Sequence, residues 1–164
     1  MVVLNSMYKK SVLQKLHALV ELKAGNPICI SLDNGEYILI SSSEHTSNST
    51  IKFMKDISGS EPSIIVNKER MLFLGQNILN DDIYSISFHL GLNKELCHEI
   101  AFSGSPEHFN KESFQILRQH DKIVFSKLLT FFKKNKIIPS FLYCVFSKNE
   151  KINILGIYLL DEVN

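Results

Sequence analysis

The segment ICISLDNGEYILI, residues 28–40, places two carboxylates, Asp33 and Glu36, between two apolar runs. Carboxylates so close together can hold a hard cation through their oxygens or move protons beside a carbonyl group. A second interpretation needs no chemistry, because Asn34-Gly35 is the strongest short signal for a β-hairpin and both residues tolerate a positive φ. We interpret the segment as a turn between two strands and expect no catalytic loop there.

Other residues of metal-binding type are scattered along the chain. The adjacent residues of CHE, 97–99, lie on one predicted helix, so their side chains point in different directions and do not form a single site. A cluster of His108 and His120 with Glu107 and Asp121 would require the intervening loop to fold back. We therefore expect no metal site.

The three cysteines, Cys29, Cys97 and Cys144, form no CxxC pattern. Two of them lie in apolar runs that are typical of strands. Buried free thiols in a reducing cytosol explain this pattern. No evident base accompanies Cys144, so we do not expect it to act as a nucleophile.

Length and composition limit the possible classes of protein. A chain of 164 residues fits one domain over residues 1–164, with 45% hydrophobic residues, 21% charged residues and a net charge of +1. Without a long basic block, nucleic acid or an anionic membrane is not the expected partner. No apolar stretch is long enough for a bilayer span, and the start of the chain lacks a signal-peptide core, so we expect a cytoplasmic location.

Two helices show clear apolar faces at helical spacing. The first ends near Lys23, with Gly25 suited to the left-handed position beyond its end, and its apolar stripe consists of Val12, Leu13, Leu16, Leu19 and Val20. The second covers residues 121–134, and its expected buried side consists of Ile123, Val124, Leu128, Phe131 and Phe132. The lysines at its end, Lys133, Lys134 and Lys136, suit the helix dipole.

The remaining pattern alternates strands with short helices. Caps are expected at Ser47 (or its two neighbours), Asn67 and Asn93, and SSSEHTSNST, residues 41–50, is interpreted as a polar loop. Strands are predicted over residues 28–32, 37–40, 63–66, 83–88, 114–117, 138–146 and 152–160. This order predicts an α/β or α+β domain layered around one sheet.

Several segments resemble the 3,4-dihydroxy-2-butanone 4-phosphate synthase family in the same order. They are LHALVELKAGNPICISLD, IKFMKDISGSEPSIIVNKERMLFLG, DDIYSISFHLGLNKELCHEI, SPEHFNKESFQIL and LLTFFKKNKIIPSFLYCVF. The resemblance covers roughly residues 12–146. It implies a three-layer α/β/α sandwich with a mixed sheet, usually assembled as a homodimer.

The resemblance also implies a chemistry that this chain does not match. The family converts ribulose 5-phosphate with Mg²⁺ and expels formate, using an acidic, arginine-containing loop that is here reduced to DNGE. Its phosphate loop would lie between Phe88 and Asn93, where only HLGL stands, and its metal-ligating histidine has a displaced counterpart in His120. We therefore expect a degenerate member of the family, without a cofactor, that serves a binding or assembly role as a homodimer.

Two alternatives remain open. One is an active Mg²⁺-dependent sugar-phosphate lyase with Asp33, Glu36 and His120 as displaced ligands. The other is a protein-interaction module, which would show exposed phenylalanines. A small phosphorylated ligand near Ser58 and His89 is a weaker expectation, because Ser58 also suits a simple helix end.

Overall fold

The structure is a computed structural model that describes residues 2–32, 34–75, 83–88, 90–103, 114–118, 122–147 and 157–159, with side chains outside 2–12, 114–118 and 157–159. Its elements are α1 Val2–Lys23, β1 Ile28–Ser31, β2 Glu36–Ser42, α2 Asn48–Ser58, β3 Ser63–Val66, α3 Lys68–Phe73, β4 Tyr84–Phe88, α4 Lys94–Phe102, β5 Phe114–Arg118, α5 Lys122–Lys134, β6 Ser140–Ser147 and β7 Ile157–Leu159. Among the described helices, none has the length and apolar character that crossing a membrane requires.

The strands form one mixed sheet in the order β5-β4-β3-β6-β2-β1-β7. Neighbours pair antiparallel from β5 to β1, whereas β7 runs parallel to β1. The last strand therefore pairs within the chain, with Ile157 opposite Cys29.

The two ends of the sheet are marked by different residues. Along β6, Ser147 pairs with Glu36 and Ser140 pairs with Val66. The "Glu36 end" thus includes Glu36 and the start of β3, and the "Val66 end" includes Val66 and the start of β4.

Apolar residues cover both faces of the sheet, which explains the nearly continuous apolar strands. Helices α2, α3 and α4 pack on one face, around the buried core residues Cys29, Leu39, Met54, Ile64, Met71, Cys97 and Leu142. Helices α1 and α5 pack on the other face, around Leu22, Ile30, Ile38, Ile40, Leu128, Phe132 and Phe141. The predicted three-layer α/β/α sandwich with a mixed sheet is confirmed.

The capping residues in the sequence predicted the helix ends correctly. The side chains of Ser47, Asn67 and Asn93 each accept a hydrogen bond from the backbone N–H three residues later, as N-caps do. Gly25 and Gly59 adopt positive φ values of 84° and 75° just beyond α1 and α2.

The prediction of a polar loop from residue 41 is wrong at its beginning. β2 continues through Ser41 and Ser42, and Ser43 is fully buried. Ser41 and Ser42 pair with Leu142 and Phe141 of β6. Ser140 Oγ donates to Ser43 Oγ at 2.8 Å, and Ser41 Oγ donates to Thr46 Oγ1 at 3.2 Å, which lowers the cost of burying these hydroxyls. The buried Oγ of Ser42 has no hydrogen-bond partner among the described residues.

The buried sides of the two long helices match the predicted ones only in part. In α5, Leu128, Phe131 and Phe132 are buried as predicted. Ile123 is instead 72% exposed, and Phe125 is buried beside Phe141. In α1, the buried positions are Ala18 and Leu22, whereas three members of the predicted stripe, Leu13, Leu16 and Val20, stand in solvent. The apolar stripe of α1 is thus mostly an outer surface of the chain.

Candidate functional site at the Glu36 end

The segment between β1 and β2 is a tight hairpin. Ser31 pairs with Tyr37, the N–H of Leu32 donates to the carbonyl of Glu36 at 2.9 Å, and the N–H of Gly35 donates to the carbonyl of Leu32 at 3.2 Å. Gly35 supplies the positive φ of 83° that the turn requires. The interpretation of this segment as a turn is confirmed.

Glu36 is held at the tip of this hairpin. Its side chain is exposed, and its Oε2 accepts a hydrogen bond from Asn34 Nδ2 at 3.2 Å. In return, the N–H of Glu36 donates to Asn34 Oδ1 at 3.0 Å. Asp33 and His120 lie outside the described residues, so the structure places only Glu36 among the three candidate ligands.

The described residues do not fit a magnesium site at this end. Mg²⁺ needs oxygen ligands in near-octahedral geometry, and Glu36 offers one exposed carboxylate already bonded to Asn34. Within the part of the chain that the structure describes, no three His, Cys, Asp or Glu side chains come together. The expectation of a metal-free protein stays a prediction, because two of its key residues are not described.

The start of α4 is occupied by the chain's own side chains. Asn93 Oδ1 accepts from the N–H of Leu96 at 2.8 Å, and Asn48 Oδ1, at the start of α2, accepts from the N–H of Lys94 at 2.8 Å. Such N–H groups at a helix start are otherwise ready to bind an anion. Here they are already satisfied by amide oxygens.

A carboxylate lies beside the same segment. Glu61 Oε2 accepts from the N–H of Leu92 at 3.4 Å, and Glu61 Oε1 forms an ion pair with Lys55, whose pKa it raises. The ion pair of Glu61 with Lys55 thus lies beside a backbone N–H group that an incoming phosphate would need as a donor. Sequence inspection missed Glu61 and Asn48, since each lies more than thirty residues from its partner.

The structure gives little support to Ser58 and His89, the two weaker candidates for binding a phosphorylated ligand. Ser58 is the last residue of α2, and its Oγ donates to the carbonyl of Ser60 at 3.0 Å. Its Oγ also accepts a hydrogen bond from the N–H of Ser60 at 3.3 Å. These bonds explain Ser58 as a helix end, and His89 lies outside the described residues.

The cysteines are free and buried, as predicted. Burial raises the pKa of the Cys97 thiol to about 12 and that of Cys144 to about 11. Burial and the neighbouring Cys144 raise the pKa of Cys29 to about 12. Because the thiolate is the reactive form, these side chains are packing residues and not nucleophiles.

Comparison with solved structures identifies the architecture. The chain superimposes on the 3,4-dihydroxy-2-butanone 4-phosphate synthase of Candida albicans with a TM-score of 0.62 at 14% identity, covering 93% of this chain and 94% of that one. A cation-free synthase gives 0.62 at 13% identity over 92% and 93% of the two chains. The chain has the 3,4-dihydroxy-2-butanone 4-phosphate synthase-like fold. No family model and no curated protein matches it.

The two-domain synthase RibBX from A. baumannii matches with a TM-score of 0.64 at 12% identity. The match covers 90% of this chain and 55% of RibBX, so this chain spans about half the length of that protein. At such identities the likeness establishes the synthase-like fold and not the reaction.

Proposed function

We propose that this chain is a synthase-like domain that does not perform the synthase reaction and that serves a binding or assembly role. The observation that carries the proposal is the occupied start of α4, where Asn48 and Glu61 accept hydrogen bonds from backbone N–H groups. A phosphate there would have to displace the Asn48 amide from the N–H of Lys94 and the ion-paired Glu61 carboxylate from the N–H of Leu92. The tight hairpin that holds Glu36 supports the same conclusion.

Formate release tests this proposal. We expect the purified chain, incubated with ribulose 5-phosphate and Mg²⁺, to release no formate above a protein-free blank, while a known 3,4-dihydroxy-2-butanone 4-phosphate synthase assayed in parallel turns over. Steady formate production would contradict the proposal and establish the alternative of a Mg²⁺-dependent lyase. Loss of that production in Glu36→Ala or His120→Ala variants would then assign the displaced ligands.

We further propose that the assembly is a homodimer formed through the exposed stripe of α1. Leu13, Leu16 and Val20 are 66%, 54% and 61% exposed and lie along one side of the helix. All three side chains are apolar, so an antiparallel copy of the same helix can bury them without enclosing a charge. An isologous contact of this kind needs one self-complementary surface.

Light scattering coupled to gel filtration tests the dimer. We expect a mass twice that of one chain for the native protein and that of one chain for Leu16→Glu, which places a charge in the stripe. Lys52→Glu, at an exposed position on the opposite layer, is the control and should remain a dimer. A monomeric native protein, or a dimeric Leu16→Glu variant, would contradict the assignment of this surface.

One observation favours the second candidate function, a protein-interaction module. Phe73 and Phe102 remain 47% and 44% exposed, and the Arg70 guanidinium lies 4.7 Å from the centre of the Phe73 ring. Aromatic and arginine side chains are enriched among the residues that dominate protein interfaces.

With its buried thiols, the chain suits a reducing compartment, and we retain the cytoplasm as its proposed location.

A further inference from the structure

A cleft of about 300 Å³ lies at the Val66 end of the sheet, between α3 and α5. It is distant along the strands from the Glu36 end, because Val66 and Glu36 pair with opposite ends of β6. The cleft therefore lies away from the hairpin that holds Glu36 and from the start of α4.

The lining combines apolar and polar groups. Val66, Met71, Ile83 and Leu129 provide apolar surface, and the first two are buried core residues. Helix α5 contributes Ser126, Thr130 and Lys133, which are spaced by four and three residues and so share one side of the helix. Seven of the eleven lining residues are polar or charged, so a ligand here needs polar groups as well as a small apolar part.

The charge around the cleft favours an anion. Helix α5 carries four lysines and no acidic residue, although the whole chain has a net charge of only +1. Lys133 and Lys68 line the cleft from two different helices, against one carboxylate, Glu69. The helix dipole accounts for lysines in the last turn of α5. It does not account for the position of Lys133 in the same cleft as the hydroxyls of Ser126 and Thr130.

We propose that this cleft binds a small organic anion, with its apolar part against Val66 and Leu129 and its charged group at Lys133, Thr130 and Ser126. The ligand must be compact, since 300 Å³ is near the lower limit of small-molecule pockets. This inference does not rest on the occupied start of α4, because the cleft lies at the opposite end of the sheet.

Calorimetric titration with phenyl phosphate tests the cleft, with phenol and inorganic phosphate as partial ligands. We expect saturable binding of phenyl phosphate that is tighter than that of either partial ligand. Lys133→Ala should weaken this binding roughly tenfold or more, because a charge-assisted contact is lost. Lys52→Ala, which removes an exposed lysine far from the cleft, should leave it unchanged.

A cleft-filling variant completes the test. Thr130 is exposed on α5, so Thr130→Phe should fold normally, which its circular dichroism would show, and should abolish binding by occupying the cleft. The proposal is overturned if phenyl phosphate does not saturate the native protein. It is also overturned if binding survives in Thr130→Phe, or if phenol or inorganic phosphate binds as tightly as phenyl phosphate.

Discussion

Gly25→Ala is expected to lower the free energy of unfolding by about 3 kcal/mol or more. Gly25 has a φ of +84°, and a Cβ built on it would lie 2.4 Å from the carbonyl oxygen of His45. Neither partner can move easily, because the carbonyl of Gly25 accepts a buried hydrogen bond from Thr50 Oγ1 at 2.7 Å. The clash is between two backbone segments, so no side chain can rotate to relieve it.

Gly59→Ala is the matched control for Gly25→Ala. Gly59 also follows a helix with a positive φ, +75°, but a Cβ there meets nothing within 4 Å. Alanine at this position should therefore lower the free energy of unfolding by only about 1 kcal/mol, which is the strain of a left-handed conformation. Urea unfolding of the three proteins measures both differences. Equal losses for the two variants would show that the close approach to His45 does not constrain the fold.

Arg70→Met is expected to lower the free energy of unfolding by about 2 to 4 kcal/mol. The Arg70 guanidinium joins α3 to the end of α4: Nε donates to the carbonyl of Ile100 at 2.6 Å, and Nη2 donates to those of Glu99 and Ser103, both at 2.9 Å. A cation at the carbonyl end of a helix also stabilises the helix dipole. Methionine would remove the donor to the carbonyls of Ile100 and Ser103, while the carbonyl of Glu99 would keep its bond from the N–H of Ser103.

Arg70→Lys separates charge from geometry. Lysine keeps the positive charge but lacks the planar fork that reaches several carbonyls at once. We expect an intermediate loss in urea unfolding, with faster hydrogen exchange confined first to the amides at the end of α4. If Arg70→Lys is as stable as the native chain, the directional hydrogen bonds do not contribute and the account of this contact is wrong.

Sequence patterns predicted the features that neighbouring residues determine. Asn34-Gly35 specified the hairpin, and Ser47, Asn67 and Asn93 specified helix starts, because their partners are two or three residues away. The apolar runs specified the strands of a covered sheet. The collinear resemblance supplied the three-layer order that local patterns alone left open.

Contacts between distant segments were beyond prediction. The strand β2 extends through Ser41 and Ser42 because both pair with β6, about a hundred residues later in the chain. Gly25 was recognised as a helix end, but its approach to His45 depends on how two segments pack. The outward position of Ile123 likewise depends on which side of α5 the sheet takes.

The candidate site shows the same difference between contacts of neighbouring residues and contacts of distant segments. The closeness of Glu36 to Asp33 in the sequence made it a candidate ligand, and the structure places it beside a tight turn. Asn48 and Glu61, in contrast, bond to backbone groups near the start of α4 that lie 46 and 31 residues away in the sequence. A polar residue in a loop gives no sequence signal for the backbone group that it will bond. The site residues Asp33, His89 and His120 lie outside the described residues and stay predictions.

We infer that the start of α4, where the synthase resemblance places a phosphate loop, is filled by the chain's own oxygens. Nuclear magnetic resonance tests this by following the backbone amide signals of Leu92 and Lys94 during titration with ribulose 5-phosphate and Mg²⁺. Both signals should stay in place, because Glu61 and Asn48 already accept from these groups. A saturable shift of both signals would instead show that a phosphate displaces those side chains and that the start of α4 is an open anion site.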